Sequence, residues 1–189
     1  MTEVQRHKLL HFFHVLDHDG NGILEEEDFT LLADSICDRI GHGKQARERL
    51  ALKVRAYGLF LSILGDLDKQ EATISSDEWL MFFDTYVLAR SNDYIYRASG
   101  YLFSLFDQDG DGYIDQAEYL DMFKAYGLYT ANVMIAFDKL DLNGDKRISN
   151  QELIKAFSEF FLSSDPESPG NWIFGDWRRD TADGNPEEW

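Results

Sequence analysis

The stretch that decides the fold reads DQDGDGYIDQAE, from Asp107 to Glu118. Side chains that carry oxygen stand at its first, third, fifth and ninth places, which are Asp107, Asp109, Asp111 and Asp115. Oxygen donors at this spacing wrap around a hard divalent cation, and a glutamate at the twelfth place is long enough to bind with both oxygens. The stretch therefore predicts a metal-binding loop between two helices.

The residues in the middle of this stretch support the same interpretation. Gly112 at the sixth place allows the positive φ of a sharp turn, Tyr113 offers its backbone carbonyl, and Ile114 points inward toward a neighbouring loop. An acidic turn that binds nothing is the plain alternative, because Asp and Gly are common in such turns. A turn requires neither an apolar eighth residue nor a glutamate at the twelfth place. The stretch is therefore identified as an EF-hand loop that binds calcium.

A first copy of the pattern, DHDGNGILEEED, runs from Asp17 to Asp28. Its candidate ligands are Asp17, Asp19, Asn21, Ile23 through its carbonyl, Glu25 and Asp28. Aspartate at the twelfth place is one methylene shorter than glutamate, and a smaller shell of oxygens suits Mg²⁺ better than Ca²⁺. We expect this loop to bind Ca²⁺, and we expect competition from Mg²⁺ to be stronger here than in the other loops.

A later copy, DLNGDKRISNQE, runs from Asp141 to Glu152. Its candidate ligands are Asp141, Asn143, Asp145, Arg147 through its carbonyl, Ser149 and Glu152. Lys146 occupies the place where glycine is expected, which predicts a left-handed backbone at a residue with a side chain, at a cost of about 1 kcal/mol. With fewer carboxylates than the loop at Asp107, this loop is expected to be the weaker site of that pair.

One more stretch, between Leu67 and Glu78, keeps the outline of the pattern without its ligands. In chain order it is the second loop, the loop at Asp107 is the third, and the loop at Asp141 is the fourth. With Ile74 at the eighth place, Leu67 and Lys69 take the first and third places; shifting the frame by one residue recovers aspartates but puts Thr73 at the apolar place. Neither frame offers a full set of oxygens. We expect this loop to bind no ion and to act as a structural partner that pairs Ile74 with Leu24.

These loops predict an all-α fold of four EF-hand units in two paired halves, packed compactly, with short β-pairing between loops. The expected division is 1–91 for the first pair, 92–162 for the second, and 163–189 for a tail. In three loops the ninth and twelfth residues also predict capping boxes for the exit helices, and Thr2 with Gln5 predicts one for the first helix; the loop pairs are Ser75 with Glu78, Asp115 with Glu118 and Ser149 with Glu152. The tail segment NWIFGDW is expected to fold back onto the body, because such an exposed aromatic cluster favours aggregation.

Composition narrows the function further. The net charge of −17 and the sequence pI near 4.5 disfavour nucleic acid and anionic membranes as partners and favour cations. Cys37 is the one cysteine, so no intramolecular disulfide is expected, and neither a secretory signal nor a membrane-spanning run is apparent. We expect a cytoplasmic monomer with no membrane insertion. No catalytic constellation stands out, so no enzyme activity is predicted.

Two helix faces call for a separate interpretation. In the first predicted helix, Leu9, Phe13 and Leu16 form a core stripe, and His7, His11 and His14 are placed on the opposite face. Imidazoles could bind zinc or copper, but without an interleaved carboxylate or cysteine a solvated face is favoured. The long helix after Lys44 predicts an apolar face that ends at Gly65. Its members are Leu50, Val54, Tyr57, Phe60, Leu61 and Leu64.

Four EF-hand units with the second degenerate, a long helix before it, and the closing GNWIFGDW segment resemble the sarcoplasmic calcium-binding proteins, calexcitin and calerythrin. The resemblance implies a cytosolic Ca²⁺ and Mg²⁺ buffer with three working loops. A calexcitin-like sensor that binds a protein target is the alternative, and a luciferin-binding or photoprotein-like ligand carrier is a second alternative. Only four methionines are present, whereas aromatic residues are abundant, which favours a fixed interior over an adaptable groove.

Overall fold

Eight α-helices form most of the molecule in the computed structural model, which describes residues 1–39, 46–88 and 93–178. The helices are α1 Glu3–Leu16, α2 Glu26–Arg39, α3 Ala46–Asp66, α4 Ser76–Phe82, α5 Asp93–Phe106, α6 Gln116–Ala125, α7 Val133–Leu140 and α8 Asn150–Leu162. Each successive pair flanks one of the four loops. The all-α prediction with four helix-loop-helix units is confirmed. Within the described residues, no helix is long and apolar enough to cross a membrane.

Some predictions fall on residues outside the described ranges. The sequence predicts a glycine stop after the second helix at Gly41 to Gly43, a short polar connection through Ser91 and Asn92, and a polar last stretch of the tail from Arg179 to Trp189, all of which lie outside the described residues. The boundary between the two expected halves lies in that connection, so the division of the chain into domains stays a prediction.

Two short antiparallel sheets join the loops in pairs. Strand β1 (Ile23–Leu24) pairs with β2 (Ile74–Ser75), so that Leu24 lies opposite Ile74. Strand β3 (Tyr113–Ile114) pairs with β4 (Ile148–Ser149), so that Ile114 lies opposite Ile148. All four eighth-place side chains are fully buried. This register decides between the two frames of the second loop, because only the frame with Ile74 at the eighth place matches the other loops.

Capping boxes start all four of the helices for which the sequence predicted them. Thr2 caps α1 together with Gln5, and Ser75, Asp115 and Ser149 each cap the helix that follows their loop. In each box the side chain of the cap accepts the backbone N–H of the third helical residue, and the side chain of that third residue accepts the backbone N–H of the cap. These two bonds satisfy donors that the first turn leaves free. The predicted capping boxes of the ninth and twelfth residues are confirmed in the second, third and fourth loops.

Helix α3 differs from its predicted form. It extends through Gly65 to Asp66, and it buries Leu52, Phe60, Ile63 and Leu64. Leu50, Val54 and Leu61, which were expected on the buried face, are exposed. The helix is apolar on more than one side, and a periodicity argument cannot tell which side packs against α2. Helix α4 also departs from a simple pattern, since it continues into a π-helical segment at Phe83–Val87.

The C-terminal segment lies against α1, α6 and α8. Ile173 and Phe174 are buried, and the ring of Phe174 stacks on Phe12 with 4.5 Å between centroids. The approach to α8 is closest at Gly170, where an added Cβ would lie 2.5 Å from the carbonyl oxygen of Ala156. A side chain at this position would therefore push the segment away from the helix.

A buried lysine fastens the segment to α1. The Nζ of Lys8, which has no exposed surface, donates to the Glu159 carbonyl at 2.8 Å, the Ser163 carbonyl at 2.9 Å and Asn171 Oδ1 at 2.7 Å. Burial lowers the pKa of Lys8 to about 8, so the ammonium keeps its three protons at neutral pH. These three protons match the three acceptors.

His11 corrects the histidine prediction. The sequence placed it on a solvated face with His7 and His14, yet it is buried and its Nε2 lies 2.8 Å from the Phe174 carbonyl oxygen. His14 is exposed, and His7 lies near Glu3 and Trp177. The three imidazoles therefore occupy different environments and do not form one surface.

Replacing Lys8 with methionine should destabilise the fold by about 1–3 kcal/mol, because Ser163 and Asn171 would each keep a buried acceptor without a donor. Urea denaturation checks this, with Lys155→Met as the control because Lys155 is exposed and its removal leaves no buried acceptor. Equal stability of the two variants would contradict the role of Lys8.

The difference in stability between the wild type and Lys8→Met should depend on pH. Between the folded-state pKa of about 8 and the ordinary value of 10.5, the unfolded chain binds more protons at Lys8 than the folded chain. The stability of the wild type relative to Lys8→Met should therefore rise with pH across this window. A flat difference in urea midpoints from pH 7 to 10 would contradict it.

Candidate metal centres

Two clusters of carboxylates lie at the loops that the sequence singled out. In the first loop, oxygens of Asp17, Asp19 and Asp28 lie within 4.8 Å of one another. In the third loop, the same holds for Asp107, Asp109 and Glu118. These are the first, third and twelfth places of each loop. Carboxylates this close repel one another unless a cation lies between them.

Burial changes the electrostatics of both clusters. Burial raises the pKa of Asp17, and the neighbouring charges of Asp28 and Asp19 add to that rise against hydrogen bonds from Gly22 and Asn21. Burial likewise raises the pKa of Glu118, with Asp115 contributing. A carboxylate whose charge is disfavoured in the ion-free fold gains free energy when a cation compensates it.

The first-place carboxylates hold the turn of each loop. Their oxygens accept backbone N–H groups from residues four and five places further on. The donors are Asn21 and Gly22 to Asp17 at 3.1 and 2.9 Å, Gly112 to Asp107 at 3.2 Å, and Asp145 and Lys146 to Asp141 at 3.1 and 2.9 Å. The other oxygen of Asp107, Oδ1, is buried and finds no hydrogen-bond donor within the part of the chain that the structure describes. A buried acceptor facing other carboxylates fits a cation better than it fits any neighbouring side chain.

The twelfth-place carboxylates close the first, third and fourth loops in the same way. One oxygen accepts the N–H of the second residue and the other accepts the N–H of the ninth. The donors are His18 and Glu25 to Asp28 at 2.8 and 2.9 Å, Gln108 and Asp115 to Glu118 at 2.7 and 2.9 Å, and Leu142 and Ser149 to Glu152 at 2.9 and 2.8 Å. Asp28 is shorter than glutamate but makes the same two contacts, and it is almost completely buried. The shorter side chain of Asp28 therefore closes the first loop through the same two hydrogen bonds as the glutamates of the other two loops.

The fifth and seventh places are also arranged alike in the three loops. Each seventh residue donates its N–H to the side chain of the fifth. The pairs are Ile23 to Asn21 at 2.9 Å, Tyr113 to Asp111 at 2.9 Å and Arg147 to Asp145 at 3.0 Å. In the fourth loop, Asn143 takes the third place, so Asp141, Asp145 and Glu152 do not form a carboxylate cluster of the kind seen in the other two. All eighteen predicted ligands lie in these three loops, and their roles as ligands stay predictions.

Arg147 has a contact that the sequence did not reveal. Its backbone belongs to the fourth loop, but its guanidinium lies 3.4 Å from Asp111 Oδ2 in the third loop and 5.3 Å from the centre of the Tyr113 ring. The sequence suggested only its carbonyl as a ligand. The direction of a long side chain across a two-stranded sheet depends on the partner strand, so no local pattern could predict it.

The second loop is arranged differently at the metal position. Leu67 stands at the first place, and the ammonium of Lys69 lies 2.5 Å from Glu78 Oε1. The hydrogen bond from Lys69, followed by that from the Ser75 N–H, lowers the pKa of Glu78. The geometry supports the prediction that this loop pairs with the first without holding an ion.

The four loops, their strand pairing and their oxygen donors define an EF-hand protein. Residues 98–158 match the EF-hand domain pair family. The chain is 28% identical over 169 residues to calerythrin of Saccharopolyspora erythraea, covering 84% of this chain and 93% of calerythrin. It is 26% identical over 165 residues to calexcitin-1 of Caenorhabditis elegans, covering 84% of this chain and 79% of calexcitin-1.

Solved structures share the fold over nearly the whole chain. The coelenterazine-binding protein of Renilla muelleri, in its calcium-loaded apo form, aligns with a TM-score of 0.72 at 23% identity and covers 93% of this chain and 99% of its own. A sarcoplasmic calcium-binding protein from amphioxus aligns with a TM-score of 0.70 at 18% identity, covering 93% and 98%. The chain is a calcium-binding EF-hand protein similar in sequence to calerythrin and calexcitin-1, and it shares its fold with the sarcoplasmic protein.

Lys146 adopts the predicted left-handed backbone, with φ of 66°. Replacing it with glycine should stabilise the ion-free protein by about 1 kcal/mol, because glycine has no Cβ to strain in this region. Urea denaturation in chelator measures the change. The matched reverse variant, Gly112→Ala at φ of 87°, should destabilise by a similar amount. A loss of stability in Lys146→Gly would show that its exposed ion pair with Asp138 outweighs the strain.

Proposed function

We propose that this protein is a cytoplasmic Ca²⁺ buffer with Mg²⁺ as a competitor, and that it uses the first, third and fourth loops. The observation that carries this proposal is the shared closure of the three loops by a twelfth-place carboxylate that bonds to both ends of its loop. The ions would bring a charge of +6 to a chain of −17, which reduces its self-repulsion. The sarcoplasmic protein that shares the fold is itself named for calcium binding.

The closed core favours a buffer over a protein that opens on binding. Tyr119 directly follows the twelfth residue of the third loop, is fully buried, and donates its hydroxyl to the Ile173 carbonyl at 3.2 Å. Met122 on the same helix is also buried. Sensor EF-hands instead open their helix pairs to expose a methionine-rich groove. Here the C-terminal segment already covers the helix that such an opening would move.

A calcium sensor is the second candidate, and one observation favours it. Leu50, Val54 and Leu61 lie on one face of α3 and are 62%, 63% and 47% exposed. Such a row of apolar side chains is able to take a partner helix. An environment-sensitive hydrophobic dye separates the two functions, because a sensor gains dye fluorescence when calcium is added and a buffer does not.

A ligand carrier receives less support from the core. The ring of Phe12 contacts those of Phe160, Phe161 and Phe174, at centroid distances of 6.1, 5.5 and 4.5 Å. Phe83 stacks on Phe161 at 5.4 Å. These rings fill the space between α1, α8 and the C-terminal segment with one another. A purified sample that retained a coloured compound or emitted light would contradict the buffer proposal.

Calorimetric titration should count three calcium ions per chain. Glu118→Gln should remove one of them, because a neutral amide cannot supply a two-oxygen anionic ligand. Glu78→Gln is the matched control, since it alters the twelfth place of the loop without an ion and should leave three bound ions.

Saturating calcium should raise the melting temperature of the wild type by more than about 10 °C, as expected for several tight sites. Equal ion counts in the two variants, or an unchanged melting curve, would contradict the proposal.

The first loop should be the one most open to Mg²⁺. Asp28→Glu should raise its preference for calcium over magnesium, because the longer side chain reaches the larger ion with both oxygens. Glu118→Asp should lower that preference in the third loop, which makes the two variants reciprocal controls. Calcium titrations with and without millimolar Mg²⁺ measure both. No change in relative affinity after Asp28→Glu would show that the twelfth residue does not determine the selectivity.

A further inference from the structure

The second loop is closed in the same way as the loops assigned to calcium. Ile74 lies opposite Leu24 in the short sheet, and both side chains are fully buried. At the twelfth place, Glu78 Oε2 accepts the N–H of Ser75 at 2.9 Å, as Glu118 and Glu152 accept the N–H groups of their own ninth residues. The exit end of this loop therefore has the form of an ion-binding loop.

The entry end has lost its usual contact with the twelfth residue. In the other three loops the second residue donates its N–H to the twelfth-place carboxylate. In the second loop the corresponding residue, Asp68, has φ of 53° and donates to the Gly65 carbonyl at 3.2 Å. The next residue, Lys69, donates its N–H to the Leu64 carbonyl at 3.0 Å, so the backbone after α3 folds back on the end of the helix and the Asp68 N–H is not available to Glu78.

Lys69 provides the hydrogen bond to the second oxygen of Glu78 that the entry residue does not make. Its side chain starts at the third place, where the other loops carry Asp19, Asp109 or Asn143, and its ammonium reaches Glu78 Oε1 at 2.5 Å. The Lys69 side chain is only 16% exposed, so water screens this pair less than it screens a surface pair. The positive charge thus comes from the place that elsewhere provides an anionic or amide ligand.

The geometry points to Lys69 as a built-in cation: its ammonium takes the place of the ion, keeps the second loop closed without calcium, and excludes calcium from it. This inference deepens the proposed function and rests on it, because it determines which loops respond to the ion. Strand β2 is then already formed in the ion-free protein, and the first loop closes against an ordered partner.

Hydrogen exchange measured by mass spectrometry in chelator and in calcium tests this inference. In the wild type, backbone amides from Thr73 to Trp79 should exchange at rates that differ by less than about threefold between the two conditions. Amides of the third and fourth loops should exchange at least about tenfold faster in chelator than in calcium. Lys69→Met should make the second-loop amides exchange at least about tenfold faster in both conditions.

Control variants separate the ammonium from a general loss of charge. Lys155→Met removes a lysine that pairs with Glu159 on α8 at 3.6 Å and should leave the second loop unchanged. The effect of Lys69→Met should vanish in a Glu78→Gln background, because the partner of the ammonium is then neutral; additive effects would overturn the inference. Buried amides of α6 and α8 report whether any variant has unfolded as a whole.

The outcomes for the inference and for the proposed function are distinct. A second loop that is as sensitive to calcium as the third loop in the wild type would overturn the role of Lys69, as would unchanged exchange in Lys69→Met. Failure of the third and fourth loops to slow in calcium would instead overturn the proposed function, whatever the second loop does.

Discussion

The contact on which the loops depend is the hydrogen bond from the ninth residue's N–H to the twelfth-place carboxylate. It occurs in all four loops, with distances between 2.8 and 2.9 Å. It joins the end of a short strand to the first turn of the exit helix, so the carboxylate lies at the helix N-terminus where negative charge is favoured. The same side chain therefore starts a helix, holds a strand and faces the metal position. The loops then differ in what compensates the remaining oxygen of this carboxylate.

That remaining oxygen separates the loops into two kinds. In three of them it accepts a backbone N–H and is left with capacity for an ion, as the carboxylate clusters at Asp28 and Glu118 indicate. In the second loop it accepts the ammonium of Lys69. A loop without an ion thus keeps its fold by providing its own positive charge. This explains how the sheet between Leu24 and Ile74 can have the same form as the sheet between Ile114 and Ile148 although only one of its two loops has a full set of oxygen donors.

Local rules predicted the loops well and long-range contacts poorly. The positions of the oxygen-bearing side chains in the loops, the capping boxes and the pairing of the eighth residues all follow from spacings of a few residues. His11 was misplaced because its partner, the Phe174 carbonyl, lies 163 residues away in the sequence. The three acceptors of Lys8 lie 151 to 163 residues away from it in the sequence. The exposure of Leu50 shows the same limit of local rules, since the sequence of a long apolar helix does not indicate which of its faces packs against the rest of the protein.

The C-terminal segment links the metal loops to the body. Helix α6 begins with the box formed by Asp115 and Glu118, and one residue later Tyr119 bonds to the segment through Ile173. The segment is in turn held to α1 by Lys8 and to α8 by the close approach at Gly170. Moving α6 outward would break the Tyr119 bond and expose the rings around Phe174. Because buried apolar surface contributes about 25 cal/mol per Å², separating several aromatic rings opposes such opening by several kcal/mol. Ion binding is therefore expected to tighten loops within a closed body rather than to open the body.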